Sequence, residues 1–402
     1  MRGLSSTEAA TIERCAAAQM FDQVRTWAAI NSGSRNLAGL AHVADTLAEA
    51  FSALPGALTL RDPAPVEAMA ADGRLVALDH GRNLHLAVRP EAPVQLLFTG
   101  HMDTVFGLDH PFQDVFWRED GVLGGPGVAD MKSGLAILLA ALRAVEAAGA
   151  PQLGYEVVIN SDEEVGSPGS AALIAAAARG KKAALTYEPS ALPDGTLAGA
   201  RPGSGNFSIR IEGRSAHAGR NPEEGRNALL AAADLALRLG ALARDGLSVN
   251  PAKIDGGGPN NVVPDHAVLR VNLRPRRPAD QAAAQAALDV AIAAVAAQHD
   301  VRIHAHGGFG RAPKPLDAGA LALFDLVRRA GTDLGQTIGW RDSGGVCDGN
   351  NIAACGVPVV DAMGARGGAI HSDQEFLIVD SLVERAQLSA LTILRLAEGE
   401  RL

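Results

Sequence analysis

Val94-Gln95-Leu96-Leu97-Phe98-Thr99-Gly100-His101-Met102-Asp103-Thr104-Val105 decides how the rest of the chain is read. Residues 94–99 are an apolar, β-rich run of the kind that forms a buried strand. His101 and Asp103 follow two residues apart at the strand's end, and strand side chains alternate with period two, so both point the same way. A nitrogen ligand and an orienting carboxylate therefore share the edge where open α/β sheets build their sites.

Working outward, strand-like runs recur at 84–88, 155–160 and 183–187, between stretches of helical spacing at 7–31, 36–53, 132–148 and 170–178. This alternation predicts an α/β fold, a mainly parallel sheet flanked by helices. Residues 121–129 hold too many glycines for a helix and read as an irregular loop. The pattern changes near residue 200. Strand runs at 206–211, 267–273 and 301–304 and long helices at 227–243 and 279–298 predict an α+β module of ferredoxin-like type. After Pro313-Lys314-Pro315 the first alternation resumes. The expected organisation is a discontinuous main domain, 1–200 and 313–402, carrying an inserted domain at 201–312.

Length and bulk composition agree with two domains. Of 402 residues, 47% are apolar but only 4% aromatic, so Ala and Leu fill the core, which suits helices layered on a sheet. A net charge of −9 with no Lys/Arg block argues against nucleic acid or an anionic membrane as partner. Three scattered cysteines, Cys15, Cys347 and Cys355, build no disulfide framework and fit a reducing compartment. The first residues lack the apolar core of a signal peptide, and no apolar run is long enough to cross a bilayer. A cytoplasmic protein is expected.

Five residues at the ends of predicted elements can hold metal: His101, Asp130, Glu164, Glu188 and His371. Imidazole and carboxylate suit Zn²⁺. One zinc cannot use all five and keep an open position. Two can, if a carboxylate bridges them and each also takes one His and one Glu; such a pair clamps both the attacking and departing atoms of a hydrolysis. In the doublet Glu163-Glu164, one carboxylate can bind metal while its neighbour takes a proton from water. Asp103 reads as the partner that accepts the other ring N–H of His101 and fixes its tautomer.

Four motifs then occur in order along nearly the whole chain. They are His101-Met102-Asp103-Thr104-Val105, Gly125-Pro126-Gly127-Val128-Ala129-Asp130-Met131-Lys132-Ser133-Gly134, Asp162-Glu163-Glu164-Val165-Gly166-Ser167 and His371-Ser372-Asp373-Gln374-Glu375. Together they resemble the dizinc deacylase/carboxypeptidase family of acetylornithine deacetylase, succinyl-diaminopimelate desuccinylase, aminoacylase and glutamate carboxypeptidase, and look most like the last. The resemblance implies two Zn²⁺ per chain, with Mn²⁺ or Co²⁺ able to substitute. Asp130 would bridge them, with His101 and Glu188 on one and Glu164 and His371 on the other; Glu163 would be the catalytic base. It also implies a cis peptide at Asp130-Met131 and an inserted lid domain through which two chains form a homodimer. Gly213-Arg214-Ser215-Ala216-His217-Ala218-Gly219 resembles the motif whose His reaches a partner's active site to hold the oxyanion. Asn261 resembles a lid position that contacts substrate, and Arg274 one that would grip the substrate's α-carboxylate with its guanidinium fork.

The function these features imply is hydrolysis of an amide or peptide bond adjacent to a free carboxylate, as in a glutamate carboxypeptidase or an N-acyl-amino-acid deacylase. Allantoate or N-carbamoyl-amino-acid hydrolysis and dipeptidase activity are rivals on the same site. An inactive carboxylate-binding homologue is the alternative of another class, and it predicts loss of a ligand or of the base. The remaining histidines show no ligand pattern, and Cys347 has no partnering base that would make it a nucleophile.

Overall fold

In the computed structural model, which describes residues 3–400, the 94–101 run is a strand inside a six-stranded sheet. Leu153–Asn160 and Ala183–Thr186 pair with it in parallel on either side, and Val359–Val360 extends the parallel part. Asn83–Val88 and Ala57–Arg61 complete the sheet antiparallel at the other edge. His101 lies opposite Asn160, and Thr99 opposite Thr186. Three parallel strands therefore run out at one edge, and the segments after them share a crevice.

Strand 94–101 is apolar without alternation because both its faces are covered. On one face the helix Ser133–Ala148 is buried without interruption from Ser133 to Leu142, between the sheet and the helices Ser6–Ala16 and Ser381–Ala397. Its close approach depends on Gly134, where a Cβ would stand 2.0 Å from the Tyr187 carbonyl oxygen. The other face packs Leu97, Val158 and Ala184 against Ile174 and Ile352.

Two local expectations change. The helical pattern at 7–31 is two helices, Ser6–Ala16 and Met20–Ala28. In one continuous helix Cys15 and Met20 would point about 140° apart, at about 100° per residue; the break lets both face the core. The Gly-rich 121–129 segment is irregular only from Gly125. Val122–Gly124 is a strand between Phe116–Glu119 and Phe376–Ile378, because Leu123 is buried and its flanking backbone finds partners far along the chain.

The second layer follows the β-α-β-β-α-β order of a ferredoxin-like unit. Ser204–Glu212, Leu247–Gly256, His266–Pro275 and Arg302–Arg311 form an antiparallel sheet in spatial order second-third-first-fourth. Helices Ala228–Gly240 and Pro278–His299 cover it, with a core of its own that includes Ile209, Leu235, Leu269 and Leu288. Arg201 and Lys314, at the two crossings, exchange backbone hydrogen bonds of 2.9 and 3.0 Å. A hairpin of the main layer, Glu67–Met69 and Leu75–Ala77, reaches across to the second sheet. There Arg270 donates to the Met69 carbonyl (3.0 Å) and Arg210 to that of Gly73 (3.4 Å), while His306 and His266 place Nε2 3.1 Å from the carbonyls of Glu67 and Ala71. No helix of the described residues is long and apolar enough to cross a membrane.

The Tyr187 contact yields a reversal of sign. Ala normally stabilises a helix by about 1 kcal/mol relative to Gly. Gly134→Ala should instead destabilise by about 1–3 kcal/mol through overpacking, read as a lower urea midpoint at unchanged slope.

Candidate metal centre

The crevice is built from strand ends. His101 terminates its strand with the ring 1% exposed; its Nδ1 lies 3.0 Å from the Asp103 carbonyl oxygen and 3.4 Å from Asp103 Oδ1. That leaves Nε2 facing the crevice, 3.2 Å from Asp130 Oδ1 and 3.7 Å from Glu188 Oε2. Across from it, His371 Nε2 lies 3.4 Å from Asp130 Oδ2 and 3.1 Å from Glu164 Oε2. Asp130 thus turns one oxygen to each imidazole, and each imidazole also meets one glutamate. The Asp130-Met131 peptide is cis.

The carboxylate of Asp103 does more than the sequence suggests. Oδ1 accepts from the Glu163 amide (3.1 Å), and Oδ2 from the Glu164 amide (3.2 Å) and the Ser34 hydroxyl (2.7 Å). It holds the short 3₁₀ turn Glu163–Val165, whose two carboxylates separate. Glu164 goes to His371, while Glu163 Oε1 lies 2.7 Å from Arg311 Nη2.

Crowded carboxylates set the electrostatics. Burial raises Glu163 well above the usual carboxylate range, against the opposing pull of Arg311. Burial and then the negative charge of Asp130 push Glu164 up to about 7. For Asp130 burial acts upward, but hydrogen bonds and charges from His101 and His371 outweigh it and hold the group low. Hydrogen bonds to Asp130 and Glu164 lift His371 to about 11. Burial alone would lower His101, yet Glu188, Asp103 and Asp130 together raise it. The site calls for positive charge, and its donor atoms are close enough to share it: those of His101, Asp130 and Glu164 lie mutually within 4.8 Å, as do those of His101, Glu163 and Glu188. Imidazole and carboxylate without thiolate fit zinc, manganese or cobalt.

A cavity of about 550 Å³ opens beside this cluster, lined by Asp130, Glu163, Glu164, Glu188, His371, Arg201 and Cys347. The structure leaves His217, Asn261 and Arg274 outside the lining. His217 and Asn261 are exposed on adjoining turns of the second layer, joined where the Ala218 amide donates to the Asn261 carbonyl (3.0 Å). Arg274 donates to Asn272 Oδ1 (3.0 Å) and to the Gly344 carbonyl (3.1 Å).

Two further residues of the site escape the sequence reading. Glu375 is 1% exposed, and its carboxylate accepts from the amides of Gly127 (3.2 Å), Ala129 (2.9 Å) and Asp130 (3.0 Å), so it holds the loop that carries Asp130. It lies within the His371–Glu375 motif, which was its one signal. Arg311 arrives from the second layer's last strand and also bonds Ser167 Oγ (2.8 Å) and approaches Asp348 Oδ1 (3.3 Å). No local pattern marks it. Removing the loop's anchor by Glu375→Ala should weaken divalent-metal affinity about 10- to 100-fold, the usual cost of losing a supporting partner of a ligand. Calorimetric titration of metal-free protein with zinc reads this, and Glu375→Gln should fall between the two.

Comparison with known proteins agrees with this geometry. Residues 97–395 match the profile of "Peptidase family M20/M25/M40". The chain is 30% identical to carboxypeptidase G2 of Pseudomonas sp. (strain RS-16) over 326 residues, 80% of this chain and 78% of that one. Its fold is similar to that of a di-peptidase from Saccharomyces cerevisiae (TM-score 0.72, 15% identity, covering 99% of this chain and 100% of that one). It is similar also to that of a dinuclear metal-binding peptidase from Bacillus subtilis (TM-score 0.64, 16% identity, covering 94% and 98%). The chain belongs to peptidase family M20/M25/M40 and is a metal-dependent hydrolase.

Proposed function

We propose that the protein is a dizinc hydrolase that cleaves an amide or peptide bond next to a free carboxylate, in the manner of a glutamate carboxypeptidase or an N-acyl-amino-acid deacylase. The observation that carries this is the division of Asp130 between two His–Glu pairs, His101 with Glu188 and His371 with Glu164, beside a glutamate in neither pair. Those five residues would hold the metals. What the ions supply when bound is Lewis acidity toward the scissile carbonyl and the attacking water.

Glu163 acts as base and then acid. Its burial favours the protonated form, which suits a group that must take a proton from water and hold it until the amine departs. The new C–O bond forms on the scissile carbonyl carbon, the C–N bond breaks, and Glu163 returns the proton to nitrogen. Arg311 and the Asp103-held turn keep its carboxylate in place.

The second layer, 201–312, serves as lid and dimerisation domain on the main domain, 1–200 and 313–402. His217 acts from one chain on the centre of its partner. Its Nδ1 accepts from the amides of Gly219 (3.1 Å) and Arg220 (3.2 Å), so the ring hydrogen sits on Nε2, and the side chain is exposed. A pinned Nε2–H suits donation to a developing oxyanion. Arg274 would bind the α-carboxylate, with Asn261 beside the substrate. A cytoplasmic location fits this chemistry on small N-acyl amino acids or peptides.

Glu163→Gln should lower kcat by about 100- to 10,000-fold with metal content unchanged; full activity would remove Glu163 from the mechanism. Chelation should abolish activity and lower Tm, because the clustered carboxylates lose the cations that bind the folded state, and zinc should restore both. His217→Ala should cost about 100- to 1000-fold in kcat. Mixed dimers of His217→Ala with Glu163→Ala should regain activity, and their continued inactivity after proven subunit exchange would rule out action in trans. A panel of N-acyl amino acids, dipeptides and N-carbamoyl amino acids separates the substrate classes.

A further inference from the structure

A second cavity, of about 630 Å³, shares no lining residue with the one at the metal centre. It is a groove among three helices of the main layer, Ser6–Ala16, Met20–Ala28 and Ser133–Ala148. Its floor is made largely of methyl groups. Ala140 and Ala144, on the last of these helices, are 6% and 2% exposed, and Ala17 and Ala18 follow the first. Side chains this short leave open a space that protein interiors otherwise fill.

Polar groups border that floor without partners in the protein. Trp27 is 3% exposed and lines the groove. Its indole N–H makes no hydrogen bond among the described residues, and it is not sealed from solvent. A buried indole N–H usually finds an acceptor, and here the groove is the side from which one can arrive. Arg14 and Arg143, from the first and third helices, line the same groove and are exposed. Among the described residues neither guanidinium enters an ion pair or a hydrogen bond.

The acids nearby are engaged or turned away. Glu146, one turn after Arg143, is held by Arg89 in two hydrogen bonds of 2.6 and 2.9 Å. Glu13, beside Arg14, lies outside the lining, since successive helical residues do not face one another. Asp22 is the one acid of the lining, in the first turn of Met20–Ala28. That helix starts without a side-chain cap, so its leading amides add positive character of their own, which Asp22 offsets. Two guanidinium groups then face one carboxylate around an uncharged floor.

We propose that this groove binds a small organic anion with a flat apolar body. Its carboxylate or phosphate pairs with the arginines, its ring lies on the alanines, and the Trp27 N–H donates to an acceptor on it. A guanidinium fork fits the paired oxygens of either headgroup, and the ring contributes through the apolar area it covers. The site takes no part in the hydrolysis.

The test uses zinc-loaded protein with isotope-labelled tryptophan. Its 3 tryptophans, Trp27, Trp117 and Trp340, each give an indole N–H signal in a nuclear magnetic resonance spectrum, and Trp27→Phe identifies the first by its loss. Naphthoate and naphthyl phosphate at millimolar concentration should move the Trp27 signal and leave the other two in place. The tighter of the two names the headgroup. Naphthalenemethanol, the same shape without the charge, should bind about 10- to 100-fold more weakly, the range of a charged hydrogen bond. Inorganic phosphate, the charge without the ring, should bind at least about tenfold more weakly than naphthyl phosphate. Arg14→Gln combined with Arg143→Gln should erase the difference between naphthoate and naphthalenemethanol, while Tm checks that the fold is kept. A Trp27 signal that stays in place with both anions would overturn the proposal. So would equal affinity for naphthoate and naphthalenemethanol, equal affinity for the two phosphates, or undiminished naphthoate binding in the double variant.

Discussion

The centre depends on one constraint, the register in which Val94–His101 lies between two parallel neighbours. Because His101 falls opposite Asn160 and Thr99 opposite Thr186, three chain segments leave the sheet at one level. A shift by one residue would turn the apolar set of a strand to its other face. It would also carry His101 away from Asp130, which arrives on a separate loop. That loop has its own restraint in Glu375, whose carboxylate takes three of its amides. Strand register and loop anchoring are thus independent supports that meet at a single carboxylate.

How much of this could be read in advance follows from the range of each contact. His101, Asp130, Glu164, Glu188 and His371 were legible because ligand-type residues at the ends of predicted elements are unusual company. The two-layer architecture was legible from periodicity, including the change of pattern near residue 200. Arg201 and Arg311 were not, since an isolated arginine looks the same whether it faces solvent or a buried partner over a hundred residues away; Glu375 stood inside a motif that gave it no role of its own. The strand Val122–Gly124 was hidden for a related reason: its glycines argue against regular structure, while its partners at 376–378 supply the bonds that make it regular. The split near residues 17–19 reflects tertiary demand on Cys15 and Met20 overriding a pattern that is locally helical.

Charge is distributed unevenly across the cavity. Asp130, Glu163, Glu164 and Glu188 crowd its lining, and Arg201 is a cation among them. Arg311, which bonds Glu163 from the second layer's last strand, links this polarity to the base itself.

The hairpin that spans the two layers adds a mechanical consequence. Among the described residues, the four hydrogen bonds it receives from the second sheet's side chains end on backbone carbonyls rather than on carboxylates. A neutral acceptor near the surface passes from protein donor to water at little net cost, because one hydrogen bond replaces another. Ion pairs in the same places would strand charge as the layers parted. Were the layers to part, the hairpin would therefore act as a compliant tether, its hydrogen bonds passing to water one at a time and re-forming without a deep trap in either direction.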